Sequence, residues 1–300
     1  MAIKTVKATI NGSQYTLTYN STSGKWEATL TAPTTSSYNQ TGHYYGVSVT
    51  AEDDHGNSAS VDASDSSLGS SLQLVVKEKV APVITITAPT ASAYVTTNKP
   101  TIQFNITDND SGVNPDTIKI TIDSTSITTG ITKTANGKGY TCSYVPTSAL
   151  GDGAHAIKVD ASDYDGNAAT QKSVAFTVDT TPPALDVVSP TDGFMTNKTA
   201  GTISGTTNDA TSSPVTITIK LNGVDQGAVT VGSNGSFSKS VTYKTGSNTI
   251  EVTATDAAGK STTITRTVDV STTAPVFTAV ELVPNPVDAG ATYIIKVTVK

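Results

Sequence analysis

The sequence predicts an all-β protein built from tandem β-sandwiches, and three observations carry that reading. Alternating apolar runs such as TVKATI, VTITIK and IEVTAT recur along the chain, and a period of two marks a half-buried strand. A strand-plus-turn motif repeats three times without gaps: VSVTAEDDHGN from Val47, IKVDASDYDGN from Ile157 and IEVTATDAAGK from Ile250. Proline-led seams separate the copies. Pro82 and Pro183 each precede a Pro-Thr pair by seven residues, and Thr-Asn-Lys follows at 97–99 and again at 196–198.

Length and composition agree. Three hundred residues are too many for one small sandwich. An apolar share of 36%, with 23 glycines and 13 prolines, suits many short strands with thin cores. The seams divide the chain into 1–79, 80–179, 180–271 and 272–300. Net charge is −6 with Arg266 the one arginine, so no basic stripe exists for nucleic acid. No apolar run reaches the length of a membrane span, which argues against membrane insertion. Cys142 is the single cysteine, which rules out an intrachain disulfide and reads as a small packed side chain in YTCSY. The opening MAIKTVKATI reads as a strand from its third residue and lacks the pattern of a secretory signal. The expectation from it is assembly inside a cell, in a particle that leaves by lysis.

Each repeat predicts a hairpin. Val47, Val49 and Ala51, then Ile157, Val159 and Ala161, then Ile250, Val252 and Ala254 alternate along their strands and should face a core. Each strand ends in Asp-x-x-Gly, with Asp suited to start a tight turn and Gly to its left-handed exit. Upstream, SGKW, NGKGY and NGSF set a turn before Trp26, Tyr140 and Phe237, which predicts one core aromatic per domain. In the third domain the strands fall at Leu185–Val188 (A), Gly201–Thr206 (B), Val215–Leu221 (C), Ala228–Val231 (D), Phe237–Tyr243 (E), Asn248–Thr255 (F) and Ser261–Val270 (G).

Laid on the third domain, VKATINGSQYTLTYNSTSGKWEATL matches ITIKLNGVDQGAVTVGSNGSFSKSV. The first strand is therefore a strand C, and the first domain lacks A and B. The last stretch, about Val276–Lys300, reads as an A–B hairpin with no C to G. The two stretches are complementary halves, so the hairpin is expected to complete a sandwich by strand donation. Tyr293, Ile295, Val297 and Val299 would be its interface.

GSNTIEVTATDAAGK and LGDGAHAIKVDASDYDGN resemble strands F and G of bacterial immunoglobulin-like domains. The resemblance implies seven-stranded sandwiches over 80–179 and 180–271, strung as a rod with partial sandwiches at both ends. Such domains recur in cell-surface proteins, in accessory modules of carbohydrate-active enzymes, and in tail and fibre proteins of phages. The expected function is non-enzymatic. A phage tail, baseplate or fibre component comes first, binding other virion proteins, copies of itself or a host surface glycan. A bacterial surface adhesin or stalk and a carbohydrate-binding accessory module are the alternatives.

No catalytic constellation is legible. His43, His55 and His155 lack the spaced partners of a metallohydrolase, and His155 reads as structural. Gly259–Ser261 lies in a hairpin and lacks the upstream glycine of a phosphate loop. Calcium is the one ion with a candidate site. Asp108 and Asp110 follow strand B of the second domain, and Asp163 and Asp165 follow its strand F. The resemblance puts both loops at one end, where four carboxylates would converge as at cadherin-type junctions. The plain alternative is that each aspartate caps its own turn. The third domain, with Asp209 and Asp256, is the weaker case. Tyr38 and one of Tyr44 and Tyr45 are the candidates for an exposed sugar platform.

Overall fold

The computed structural model describes residues 2–300, which fall into two compact units, one ending at Val178 and the other spanning Asp179–Lys300. Every regular element is a strand or a single 3-10 turn.

The first unit opens with one sheet. Its strands are β1 (Ile3–Ile10), β2 (Ser13–Asn20), β3 (Lys25–Glu27), β4 (Tyr45–Asp53), β5 (Ser58–Val61) and β6 (Gln73–Leu74). The order is β3-β2-β1-β4-β5, and β6 pairs the start of β4. Asn11 and Gly12 turn the β1–β2 hairpin with φ of 47° and 76°. Both values are positive, as a tight two-residue hairpin demands, and Asn-Gly tolerates them.

No second sheet faces this one among the described residues, and burial shows it. Val47, Val49 and Ala51 are only half-buried, whereas their counterparts in the other domains are sealed. Trp26 departs from expectation for the same reason. Phe237, its counterpart, lies on a strand that pairs strand B. Among the described residues no strand B lies beside β3, which pairs β2 instead. Trp26 is left half-buried, tilted against the exposed Tyr19 at 5.7 Å.

The remainder of the first unit is a closed sandwich. One sheet, β11-β10-β14-β15-β8, holds β8 (Tyr94–Val95), β10 (Val113–Ile122), β11 (Thr125–Ile127), β14 (Gly153–Asp163) and β15 (Lys172–Val178). The other, β12-β13-β9-β7, holds β7 (Val83–Ala88), β9 (Ile102–Thr107), β12 (Thr132–Asn136) and β13 (Gly139–Tyr144). Alternation feeds the core from both: Ile102, Phe104 and Ile106 from β9, and Ile157, Val159 and Ala161 from β14. Each large aliphatic buried here contributes about 1.5–3 kcal/mol. Cys142 packs inside, and burial pushes its thiol up to about 11.

The second unit repeats the plan. One sheet is β16 (Ala184–Ser189), β18 (Ala200–Asn208) and β21 (Ser236–Thr242). The other runs β17-β23-β22-β19-β20, made of β17 (Phe194–Thr196), β19 (Thr216–Leu221), β20 (Val224–Asp225), β22 (Gly246–Thr255) and β23 (Ser261–Val270). Ile203, Phe237, Ile250, Val252 and Val268 fill the space between them. Strand D, expected at Ala228–Val231, is reduced to one bridge between Val231 and Phe237. Gly232 donates to the Ser236 carbonyl and turns the chain straight into β21, so no length remains for a ladder.

The unit ends in a separate two-stranded sheet, β24 (Phe277–Val283) and β25 (Ile294–Val299). Val297 lies opposite Val280, Ile295 opposite Leu282 and Val299 opposite Phe277. These six side chains share one face of the ribbon, since cross-strand partners point the same way. All of them are exposed, from 44% at Leu282 to 70% at Phe277. Tyr293, just before β25, is exposed as well.

Candidate functional site

The three repeat turns fold alike. Asp53, Asp163 and Asp256 donate their backbone N–H to the carbonyl of the residue four further on. Gly56, Gly166 and Gly259 exit at φ between 85° and 92°. In each, one carboxylate oxygen accepts the backbone N–H of that fourth residue: Asn57 at 2.9 Å, Asn167 at 2.8 Å and Lys260 at 2.9 Å. The turn aspartates are thus caps, and all three are buried. They differ in the second oxygen. The Asn57 and Asn167 side-chain amides donate to it at 2.8 and 2.7 Å. Lys260 offers no such amide, and Oδ2 of Asp256 has no hydrogen-bond partner. For Asp53 the Asn57 side-chain bond outweighs the burial that opposes it and lowers the pKa.

In both complete sandwiches the turn aspartate meets two more acids. Glu78, Asp108 and Asp163 form one group, and Asp179, Asp209 and Asp256 the other. Within each group the nearest oxygens lie within 4.8 Å of one another. Each group draws on a linker, a B–C loop and an F–G turn. Glu78 and Asp179 each stand four residues before the seam prolines Pro82 and Pro183. Asp108 and Asp209 each begin an Asp-x-x-Ser, with Ser111 and Ser212 buried. The loops are drawn together by backbone bonds, Tyr164 N–H to the Gly112 carbonyl at 3.0 Å and Ala257 N–H to the Ser212 carbonyl at 2.9 Å.

The four aspartates proposed for calcium in the second domain do not converge. Asp108 and Asp163 meet, and Glu78 joins them. Asp110 instead accepts the Ser36 N–H at 3.1 and 2.9 Å and the Asn39 side-chain amide at 2.8 Å, which fastens the first domain's loop. Asp165 accepts the Glu78 N–H at 2.9 Å. Both are committed to the junction between the first and second domains, because this loop and linker bring backbone donors that need partners. Glu78 itself accepts the Ser111 N–H at 2.6 Å.

Tyr38 is also taken up by this junction. Its ring is stacked between His43 (4.0 Å) and Tyr164 (4.1 Å), with interplanar angles of 14° and 11°. Both faces are covered, so Tyr38 offers no platform to a sugar. Tyr45 is buried with its hydroxyl 2.6 Å from Thr35 Oγ1, and Tyr44 is half-buried. Burial, followed by the neighbouring Tyr38, raises the Tyr164 pKa.

Residues 80–180 match a family model described as a bacterial Ig-like domain, and residues 183–272 one described as glucodextranase, domain B. The middle of the chain is a tandem of Ig-like domains. Over 127 residues the chain is 33% identical to bacillopeptidase F of Bacillus subtilis (strain 168), a stretch that is 42% of this chain and 8% of that relative. The chain thus spans a small fraction of its relative's length. Among solved structures, a three-Ig fragment of titin is 11% identical with a TM-score of 0.45, covering 90% of this chain and 88% of that one. The fibronectin(III)-like modules of Clostridium thermocellum CbhA are 18% identical with a TM-score of 0.37, covering 63% and 94%. At those scores neither likeness bears on what the Ig-like tandem does.

Sequence reasoning missed Glu78 and Asp179, although their shared spacing to the seam prolines was visible. The shared Asp-x-x-Ser after strand B was the second overlooked signal.

Proposed function

We propose that this protein is a non-catalytic structural and adhesion element, working through its sandwich surfaces and half-sandwiches. The observation that carries the reading is the apolar face of the β24–β25 ribbon, bare at Phe277, Val280, Leu282, Ile295, Val297 and Val299. Among the described residues the first domain's sheet has no A–B pair beside it, and the ribbon has the form of one, so the ribbon of another copy would complement that sheet. Strand donation from one copy to the next would cover both and build an assembly. A phage tail or fibre and a bacterial cell-surface stalk are the two settings such an assembly would suit, and fractionation of virions against cell envelopes distinguishes them. Deleting 272–300 tests the donation. Sedimentation should fall to the monomer, and the first domain should lose stability while the two Ig-like domains keep theirs. A truncated chain that assembles and melts like the full one overturns it.

A second reading has its own support. One matching domain model and the curated relative both carry the names of enzymes. The Ig-like tandem would then be an accessory segment beside a catalytic part. Binding to an insoluble glycan or protein substrate in a pull-down supports this reading, and its absence supports the first.

A further inference from the structure

The geometry points to a divalent-cation site in the second unit, formed by Asp179, Asp209 and Asp256. The three carboxylates come from the segment before β16, the β18–β19 loop and the β22–β23 turn. Their residues are 0%, 9% and 6% exposed, and their nearest oxygens lie within 4.8 Å of one another. Like charges so close and so far from water repel strongly. Among the described residues no lysine, arginine or histidine forms an ion pair with any of the three.

An independent observation marks where the ligand belongs. Oδ1 of Asp256 caps its turn through the Lys260 N–H, and Oδ2 is buried without a donor. A carboxylate oxygen in that state is costly unless something positive meets it. Asp209 spends Oδ1 on the Thr211 and Ser212 N–H groups, at 2.8 and 2.7 Å, which fixes its carboxylate towards the cluster. The Ser212 hydroxyl, fully buried, donates to Asp179. The donors are all oxygen, the set that hard cations take, and calcium accepts the irregular arrangement that loops provide.

The other turns supply a built-in contrast. Asn167 closes both oxygens of Asp163, and Asn57 both oxygens of Asp53. Lysine at position 260 leaves the corresponding oxygen of Asp256 open. The last residue of the repeated turn therefore decides whether the aspartate is a closed cap or a ligand.

The test is calorimetric titration of the full chain with calcium chloride, alongside thermal melting and with magnesium chloride as comparator. The wild type should bind calcium, and its second unit should melt higher, because a ligand that binds only the folded state stabilises it. Asp256→Asn should remove that site. Lys260→Asn keeps all three carboxylates but supplies the missing amide, and should weaken binding about tenfold or more, the usual size of a change in the hydrogen-bond partners around a metal ligand. Circular dichroism checks that both variants fold. A wild type indifferent to calcium up to about 10 mM, well above the weakest extracellular sites, overturns the proposal. So does Asp256→Asn binding like the wild type, or Lys260→Asn retaining full affinity. A wild type that ignores calcium yet gains stability on acidification shows a shared proton in the cluster and overturns it equally.

Discussion

Asp110 receives the Ser36 backbone N–H on both carboxylate oxygens, at 3.1 and 2.9 Å, across 74 residues of chain. This contact, with the Asn39 amide beside it, is what the first domain's loop rests on. Asp110→Ala should free the segment around Ser36–Asn39 at a local cost of about 1.5–3 kcal/mol, the range for bonds to a charged acceptor. Hydrogen exchange at Ser36 should quicken while β9 and β14 stay protected. Unchanged exchange at Ser36 would remove Asp110 from this role.

The ring stack offers a second measurement. Tyr38 and Tyr164 lie almost parallel at 4.1 Å. A double-mutant cycle of Tyr38→Ala and Tyr164→Ala should return a coupling of about 0.5–1.5 kcal/mol. Additive effects would mean that the rings merely lie near each other.

Trp26 is the single tryptophan, so its fluorescence reports one site. Half-buried against Tyr19, it should be quenched by acrylamide at an intermediate rate. Trp26→Ala should cost about 1–2 kcal/mol, less than the roughly 3–5 kcal/mol of a sealed aromatic. Full protection from the quencher would contradict the open first sheet, or show that another copy covers it.

His155 gives a pH dependence. Its side chain is 12% exposed, with Nδ1 2.9 Å from Asp123 and Nε2 2.8 Å from the Gly151 carbonyl. Burial pushes the imidazole pKa down, but the Gly151 bond and the Asp123 carboxylate outweigh it, and the net shift is upward. The contribution to stability is thus full below about pH 6.5, the ordinary histidine value, and is lost as pH rises through the raised folded value. Asp123 is shifted down: burial opposes the shift, while His155 and the Ala156 N–H drive it. Its share is lost only as acid is approached. The first unit should melt lower at pH 8.5 than at pH 5.5, and His155→Gln should flatten that slope. A slope that survives the substitution assigns the effect elsewhere.

The repeated turns were legible because everything that shapes them is local. Asp256 and Gly259 are three residues apart, and their bonds close within five. What escaped was tertiary. Asp179 joins Asp256 only once the chain before β16 passes the loop ends, and Asp110 turned away from Asp163 because Ser36 competes for it. Alignment with Phe237 marks Trp26 as a core aromatic, yet a strand's burial depends on which neighbour it finds, and β3 pairs β2. Strand D failed on length, which Gly232 sets and alternation does not reveal.

The short strand β8 lies parallel to β15, as β17 lies parallel to β23. Each pair joins the entry of a sandwich to its final strand. The ladder bonds are extended by Ser92 N–H to the Ala175 carbonyl and by Ser271 N–H to the Thr196 carbonyl. Tension applied to the two ends of such a domain pulls these strands past each other lengthwise. All the bonds then bear the load together, instead of parting one after another as in a peeled hairpin. Resistance to force is governed by the unfolding rate and not by equilibrium stability, so two or three paired residues at this one edge set how hard each sandwich can be pulled before it opens.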